Sequence, residues 1–189
     1  MDMKLEVNKL WKYCYGGIPC VGHENIGKLL ANKLNYKFID QNDILKEKYS
    51  TIDKFNDIYW VDYERFKIKE DIAFDIINNE NNFVMATSFI YREEIVNNIV
   101  NTDTVSVEIT DNLESIYDRI LFYDENDKVL PDSKEYRDKH KQHYINEIKN
   151  DMTASNQEFK NIPKFNLNGR KFEDVIDKLV EFINNLKNN

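Results

Sequence analysis

Apolar positions along the chain switch repeatedly between two spacings, and the switching itself predicts alternating strands and helices. Residues 10–15 form an aromatic and apolar row, interrupted at Lys12, that runs into Gly16-Gly17, as a buried strand entering a turn does. Ile26, Leu29, Leu30 and Leu34 then recur at helical spacing, predicting a helix over 25–34 with Asn25 as its N-cap. Residues 36–40 read as a short strand and 43–49 as a short helix. A long helix follows over 61–78, where Phe66, Ile68, Ile72, Phe74, Ile76 and Ile77 make an apolar face.

Beyond the polar run at 78–82, residues 83–87 predict a buried strand, 91–100 a helix, 104–109 an alternating strand and 113–122 a helix. The Asp-rich segment 123–132 is polar, and a mobile lid is expected over about 123–135. Residues 135–150 read as a charged helix. A last strand at 164–167 passes through Asn168-Gly169 into an amphipathic helix carrying Phe172, Val175, Ile176, Leu179, Val180, Ile183 and Leu186. Five such alternations without a repeat or linker predict one α/β domain over 1–189. Its architecture is a three-layer αβα sandwich, with a five-stranded, mostly parallel sheet covered by helices on both faces. Ligands of such sheets bind beyond the carboxyl ends of the strands, where the strand order reverses.

Composition narrows the function classes. No run approaches the length of a membrane span, and the first residues lack the pattern of a secretory signal, so a cytoplasmic protein is expected. Cys14 and Cys20 have no His or Cys cluster beside them and read as reduced thiols. A net charge of -8 gives no bulk attraction for nucleic acid or an anionic membrane, and neither is expected as a partner. The basic cluster between Lys134 and His143 is interleaved with acids and reads as a solvated helix face.

The glycines carry the sharpest signal, because four of the five (Gly16, Gly17, Gly22 and Gly27) crowd into twelve residues. Gly17 and Gly22 are five positions apart, between a strand and a helix, as in a phosphate loop whose backbone N–H groups curl around phosphate oxygens. Such a loop continues with Lys for the phosphates and Ser or Thr for magnesium. Here His23 and Glu24 stand in those places. A neutral imidazole stabilises a transferring phosphoryl group far less than an ammonium, and Glu24 sets a negative charge beside the phosphates unless magnesium bridges the two. The helix N-terminus, with Asn25 in its first turn, can still hold an anion. A glycine-rich turn that binds nothing is the competing reading of the loop taken alone.

The stretch Asn25-Ile26-Gly27-Lys28-Leu29-Leu30-Ala31-Asn32-Lys33-Leu34, followed by Phe38-Ile39-Asp40, resembles the segment behind the phosphate loop of shikimate kinases. Trp60-Val61-Asp62-Tyr63-Glu64 falls where that family has Phe-Arg-x-x-Glu, and Phe83-Val84-Met85-Ala86-Thr87 falls where it has the strand before a glycine triplet. Asn168-Gly169-Arg170 is similar to its adenine-side loop. The resemblance implies a P-loop kinase fold, ATP and Mg2+ as cofactors and a small-molecule second substrate. It assigns Gly17, Gly22, His23, Glu24, Asn25 and Arg170 to the nucleotide, and Asp40, Asn42, Glu64 and Lys141 to the substrate.

The departures fall on the functional positions. Besides His23 and Glu24, the second acid of the family's Asp-x-Asp is Asn42, its substrate arginine is Val61, and its glycine triplet is Ser88-Phe89-Ile90. Lys128 stands for the lid arginine and Lys141 for a second carboxylate-binding arginine, keeping charge without the bidentate fork. Arg92 is a candidate replacement for the lost arginine, against the plainer reading of a solvated helix-start residue. Asp40 is a candidate base or magnesium-water ligand, or simply the cap of the next helix; Glu24 is a candidate magnesium contact. Trp60 and Tyr63 read as core packing. The expectation is a member-like protein that keeps nucleotide or phosphate binding while shikimate phosphorylation is weak or lost. Two alternatives remain: an active kinase using a substitute lysine, Lys28 or Lys128, and a non-catalytic interaction domain.

Overall fold

Strand β1 (Lys12–Gly16) lies at the centre of a five-stranded parallel sheet in the computed structural model, which describes residues 12–16, 20–87, 104–122, 124, 128–131 and 134–187. The sheet order is β2-β3-β1-β4-β5, with β2 at Lys37–Asp40, β3 at Phe83–Ala86, β4 at Val105–Thr110 and β5 at Lys164–Asn166. All four residues of β3 are buried, as befits a strand covered on both faces. Register aligns the carboxyl ends: Asp40 pairs with Ala86, Tyr15 with Ala86, and Gly16 with Glu108.

The helices follow from local chemistry. Helix α1 (His23–Leu34) buries Ile26, Leu30 and Ala31 on one stripe, and ends where Asn35 turns left-handed and returns its N–H to Ala31 and Asn32. Helix α2 (Gln41–Tyr49) is capped by the Asp40 carboxylate and α3 (Ile52–Ile58) by the Thr51 hydroxyl. The long α4 (Asp62–Asn79) buries Ala73, Ile76 and Ile77. Helix α5 (Leu113–Asp118) is capped by Asn112, and α6 (Lys134–Glu158) is polar along most of its length. Helix α7 (Phe172–Lys187) buries Val175, Leu179 and Ile183 at spacings of four and packs on α1.

The α/β class, the parallel sheet and its five strands agree with the sequence expectation. Several details differ. Helix α1 begins two residues before Asn25 with Gly22 as its cap, α3 breaks a stretch with no predicted element, α5 stops at Asp118, and α6 runs on to Glu158. Trp60 and Tyr63 are 80% and 54% exposed and do not pack in the core: they stand at the start of α4, whose first residues, 61–64, are all exposed. Gly17, Arg92, the triplet at 88–90, the predicted helix over 91–100 and part of the 123–135 segment lie outside the described residues.

Candidate functional site

From β1 the chain leads to β2 on one side, whereas from β4 it leads to β5 on the other, so the strand order reverses between these neighbours. The carboxyl ends of β1 and β4 therefore border the crevice in which ligands of doubly wound sheets sit. Into it the chain delivers Cys20, in left-handed backbone at φ 64, then Val21, then Gly22 at φ 94. Gly22 caps α1 through its backbone, with no side-chain cap, and its carbonyl accepts from Ile26 N–H at 3.0 Å. The first amides of a helix have no intrahelical acceptor and carry the positive end of its dipole, which makes this turn a cradle for an anion. Glycine is required at position 22 twice over. Its φ is one that side chains avoid, and a Cβ would lie 2.7 Å from Cε1 of Phe172 and closer still to Cζ.

At the mouth of this cradle the side chains are uncharged or already paired. Burial pushes the His23 imidazole below its ordinary pKa, opposed only in part by Glu24, so the ring is neutral at pH 7. Glu24 is exposed and accepts from Lys28 Nζ at 2.5 Å, one helical turn along. That contact is the main reason the Lys28 ammonium is held above its usual pKa, with Asp43 and Asp40 adding smaller attractions. Asp40 is buried and caps α2 by accepting from Asn42 N–H at 2.8 Å. Burial raises its pKa, and the nearby charges of Asp43 and Glu24 push it the same way.

The remaining sequence candidates lie on other elements. Glu64 lies exposed in the first turn of α4, and Val61, also exposed, is that helix's cap. Lys141 places its ammonium 5.6 Å from the ring centroid of Tyr117. Lys128 is exposed in a turn, with Asp124 N–H donating to its carbonyl and its own N–H donating to the Asp124 side chain. Arg170 folds back on its own loop, donating to the carbonyls of Leu167 at 2.8 Å and Asn166 at 3.1 Å.

Sequence reasoning missed the network that ties the site together. Asp111, buried directly after β4, accepts from Gly169 N–H at 2.6 Å, from Asn112 N–H at 2.8 Å and from Arg119 at 2.6 Å. Arg119 also donates to the Cys20 carbonyl at 3.3 Å and covers the Phe172 ring at 5.4 Å. One carboxylate thus links β4, the phosphate loop and the turn before α7. An acid immediately after an apolar strand was the available signal. Arg137 is likewise committed inside the fold, donating to the carbonyls of Tyr117 and Ile120.

The backbone turn fits a phosphate. At its start the side chains are His23, which burial pushes toward the neutral form, and Glu24, which is paired with Lys28.

Comparison with known proteins places this architecture. No curated protein sequence matches the chain. Among solved structures, a shikimate kinase from Bacteroides thetaiotaomicron superposes with a TM-score of 0.71 at 14% identity, covering 93% of this chain and 99% of its own. A shikimate kinase from Acinetobacter baumannii in complex with shikimate gives 0.69 at 14% identity, covering 94% and 95%. A gluconokinase from Sinorhizobium meliloti gives 0.60 at 8% identity, covering 93% of each chain. At these identities the superpositions establish the fold. The family model described as shikimate kinase matches residues 19–184, nearly the whole chain, and so the chain belongs to the shikimate kinase family.

Proposed function

We propose that this chain is a nucleotide- or phosphate-binding member of its family in which shikimate phosphorylation is weak or lost. The observation that carries this reading is His23: at the position of the loop lysine stands an imidazole that burial keeps uncharged. The cradle formed by the start of α1 supports ground-state binding of phosphate. Phosphoryl transfer needs fixed positive charge on the equatorial oxygens as well, and His23 does not supply it. Val61 and Asn42, where the family has an arginine and an acid, point the same way for the second substrate.

Calorimetry with ATP and Mg2+, paired with a coupled assay containing shikimate, tests the reading. Binding without rapid turnover is expected, and the double substitution His23→Lys with Glu24→Ser is expected to tighten nucleotide binding by about tenfold or more. Rapid ATP turnover by the unaltered protein with shikimate would overturn it. A second reading has one observation in its favour. The Lys28 ammonium is held by Glu24 at 2.5 Å, one turn along α1, and release from Glu24 would give an active kinase its cation. Glu24→Gln separates the two readings, raising turnover only if Lys28 is that cation.

A further inference from the structure

A cavity of about 500 Å3 opens between the phosphate loop and α6, within the size range of small-molecule sites, roughly 300–1,000 Å3. Its walls include Cys20 of the loop, Ile120 after α5, and Tyr144, Glu147, Ile148 and Asp151 on α6. Glu147 and Asp151 are four residues apart and so face the same way. No Lys, Arg or His lines the cavity among the described residues. His143 touches Glu147 at 3.4 Å from one turn away, and no side-chain hydrogen bond or ion pair from a described residue ends on the Asp151 carboxylate.

The other polar groups of the wall are neutral. Burial pushes the Cys20 thiol up, and the Tyr144 phenol, desolvated and bonded to Tyr136, is pushed up to about 12. All the charge the described walls present is therefore negative, while Ile120, Ile148 and the Tyr144 ring supply apolar surface. Burial and Glu147 together raise the pKa of Asp151, which is the response of a carboxylate lacking a cation. An anionic ligand would meet repulsion here. A cation would be attracted by two carboxylates and by the face of an aromatic ring.

We infer that this cavity binds a small organic ammonium compound, its charge between Glu147 and Asp151 and its carbon body against Ile120, Ile148 and Tyr144. The site goes beyond the phosphate cradle and stands independently of whether the loop holds a nucleotide.

The test is calorimetric titration of the full chain, at fixed ionic strength, with putrescine and glucosamine against their uncharged counterparts, butanediol and N-acetylglucosamine. The amines are expected to bind at least about tenfold more tightly than the uncharged pair, and Asp151→Asn and Glu147→Gln are each expected to weaken the amines by about tenfold. Circular dichroism establishes that both variants fold, and a parallel titration with ATP and Mg2+ is expected to give the same affinity for variants and unaltered protein. Equal binding of charged and uncharged members, amine binding undiminished in both variants, or no amine binding at all would each overturn the inference. Nucleotide binding without amine binding sinks the cavity alone. Amine binding without nucleotide binding sinks the phosphate-loop reading alone.

Discussion

Replacing Gly22 with alanine perturbs one atom and meets two separate costs. At φ 94 the residue is in left-handed backbone, where a side chain costs roughly 1–2 kcal/mol. The new methyl would also stand 2.7 Å from Phe172 Cε1 and 3.1 Å from Cε2, so the ring must leave its place beneath Arg119. Forced repacking of that kind costs about 1–3 kcal/mol. Together a loss of about 2–5 kcal/mol is expected, which at a typical slope of about 2 kcal/mol per molar lowers the urea midpoint by about 1–2.5 M. Equilibrium denaturation followed by far-ultraviolet circular dichroism reads it. The two costs separate in a cycle with Phe172→Ala: in that background only the backbone part, about 1–2 kcal/mol, should remain. A Gly22→Ala protein within about 0.5 kcal/mol of the parent, or a cost unchanged when the ring is removed, would refute the reasoning.

Asp111→Asn leaves Arg119 without its anion and sets an amide N–H against the N–H of Gly169 or Asn112. A loss of about 3 kcal/mol is expected in chemical denaturation, and one under about 1 kcal/mol would show that the network is dispensable. At Asp40, asparagine should keep the cap of α2 and leave the urea midpoint unchanged, whereas alanine should cost about 1 kcal/mol. Lys69 is held by burial at a pKa of about 8, with Arg65 adding to the depression, against 10.5 in the unfolded chain. Between those values the unfolded chain binds more protons at this site, so stability should climb as pH rises from about 8 to 10.5, by up to about 3 kcal/mol. Urea midpoints measured across that range should lose this rise in Lys69→Met; an identical slope would dismiss the assignment.

The order of strands and helices was legible because burial imposes period two on strands and period 3.6 on helices. Val105, Val107 and Ile109 marked β4, and Val175, Leu179 and Ile183 marked the buried stripe of α7. The sheet order was not legible, since pairing depends on which exposed edges meet rather than on any one segment. The start of α1 was misplaced for a local reason: a cap made by left-handed glycine backbone carries no side-chain signature, and Asn25 looked like the better cap. Trp60 and Tyr63 misled because aromatic residues count as core wherever they occur, and here they stand at the exposed start of α4. Within the site, the substitution of His23 was visible in the sequence. Its neutrality was expected as well; the burial that pushes its pKa lower still was not legible.

The pairing of α1 with α7 has a consequence for synthesis. Helix α1 spans His23–Leu34, and the helix that covers it, Phe172–Lys187, is made after every other described element. The central strand β1 also waits, since its two neighbours are β3 and β4, the nearer of which begins at Phe83. The chain through residue 187 must be made before α1 has its covering helix, and long-range pairing of this kind slows folding and prolongs the exposure of apolar surface. Until then the apolar stripe of α1, Ile26, Leu30 and Ala31, lacks the helix that covers it. Deleting α7 should for the same reason disorder the phosphate loop at the opposite end of the sequence.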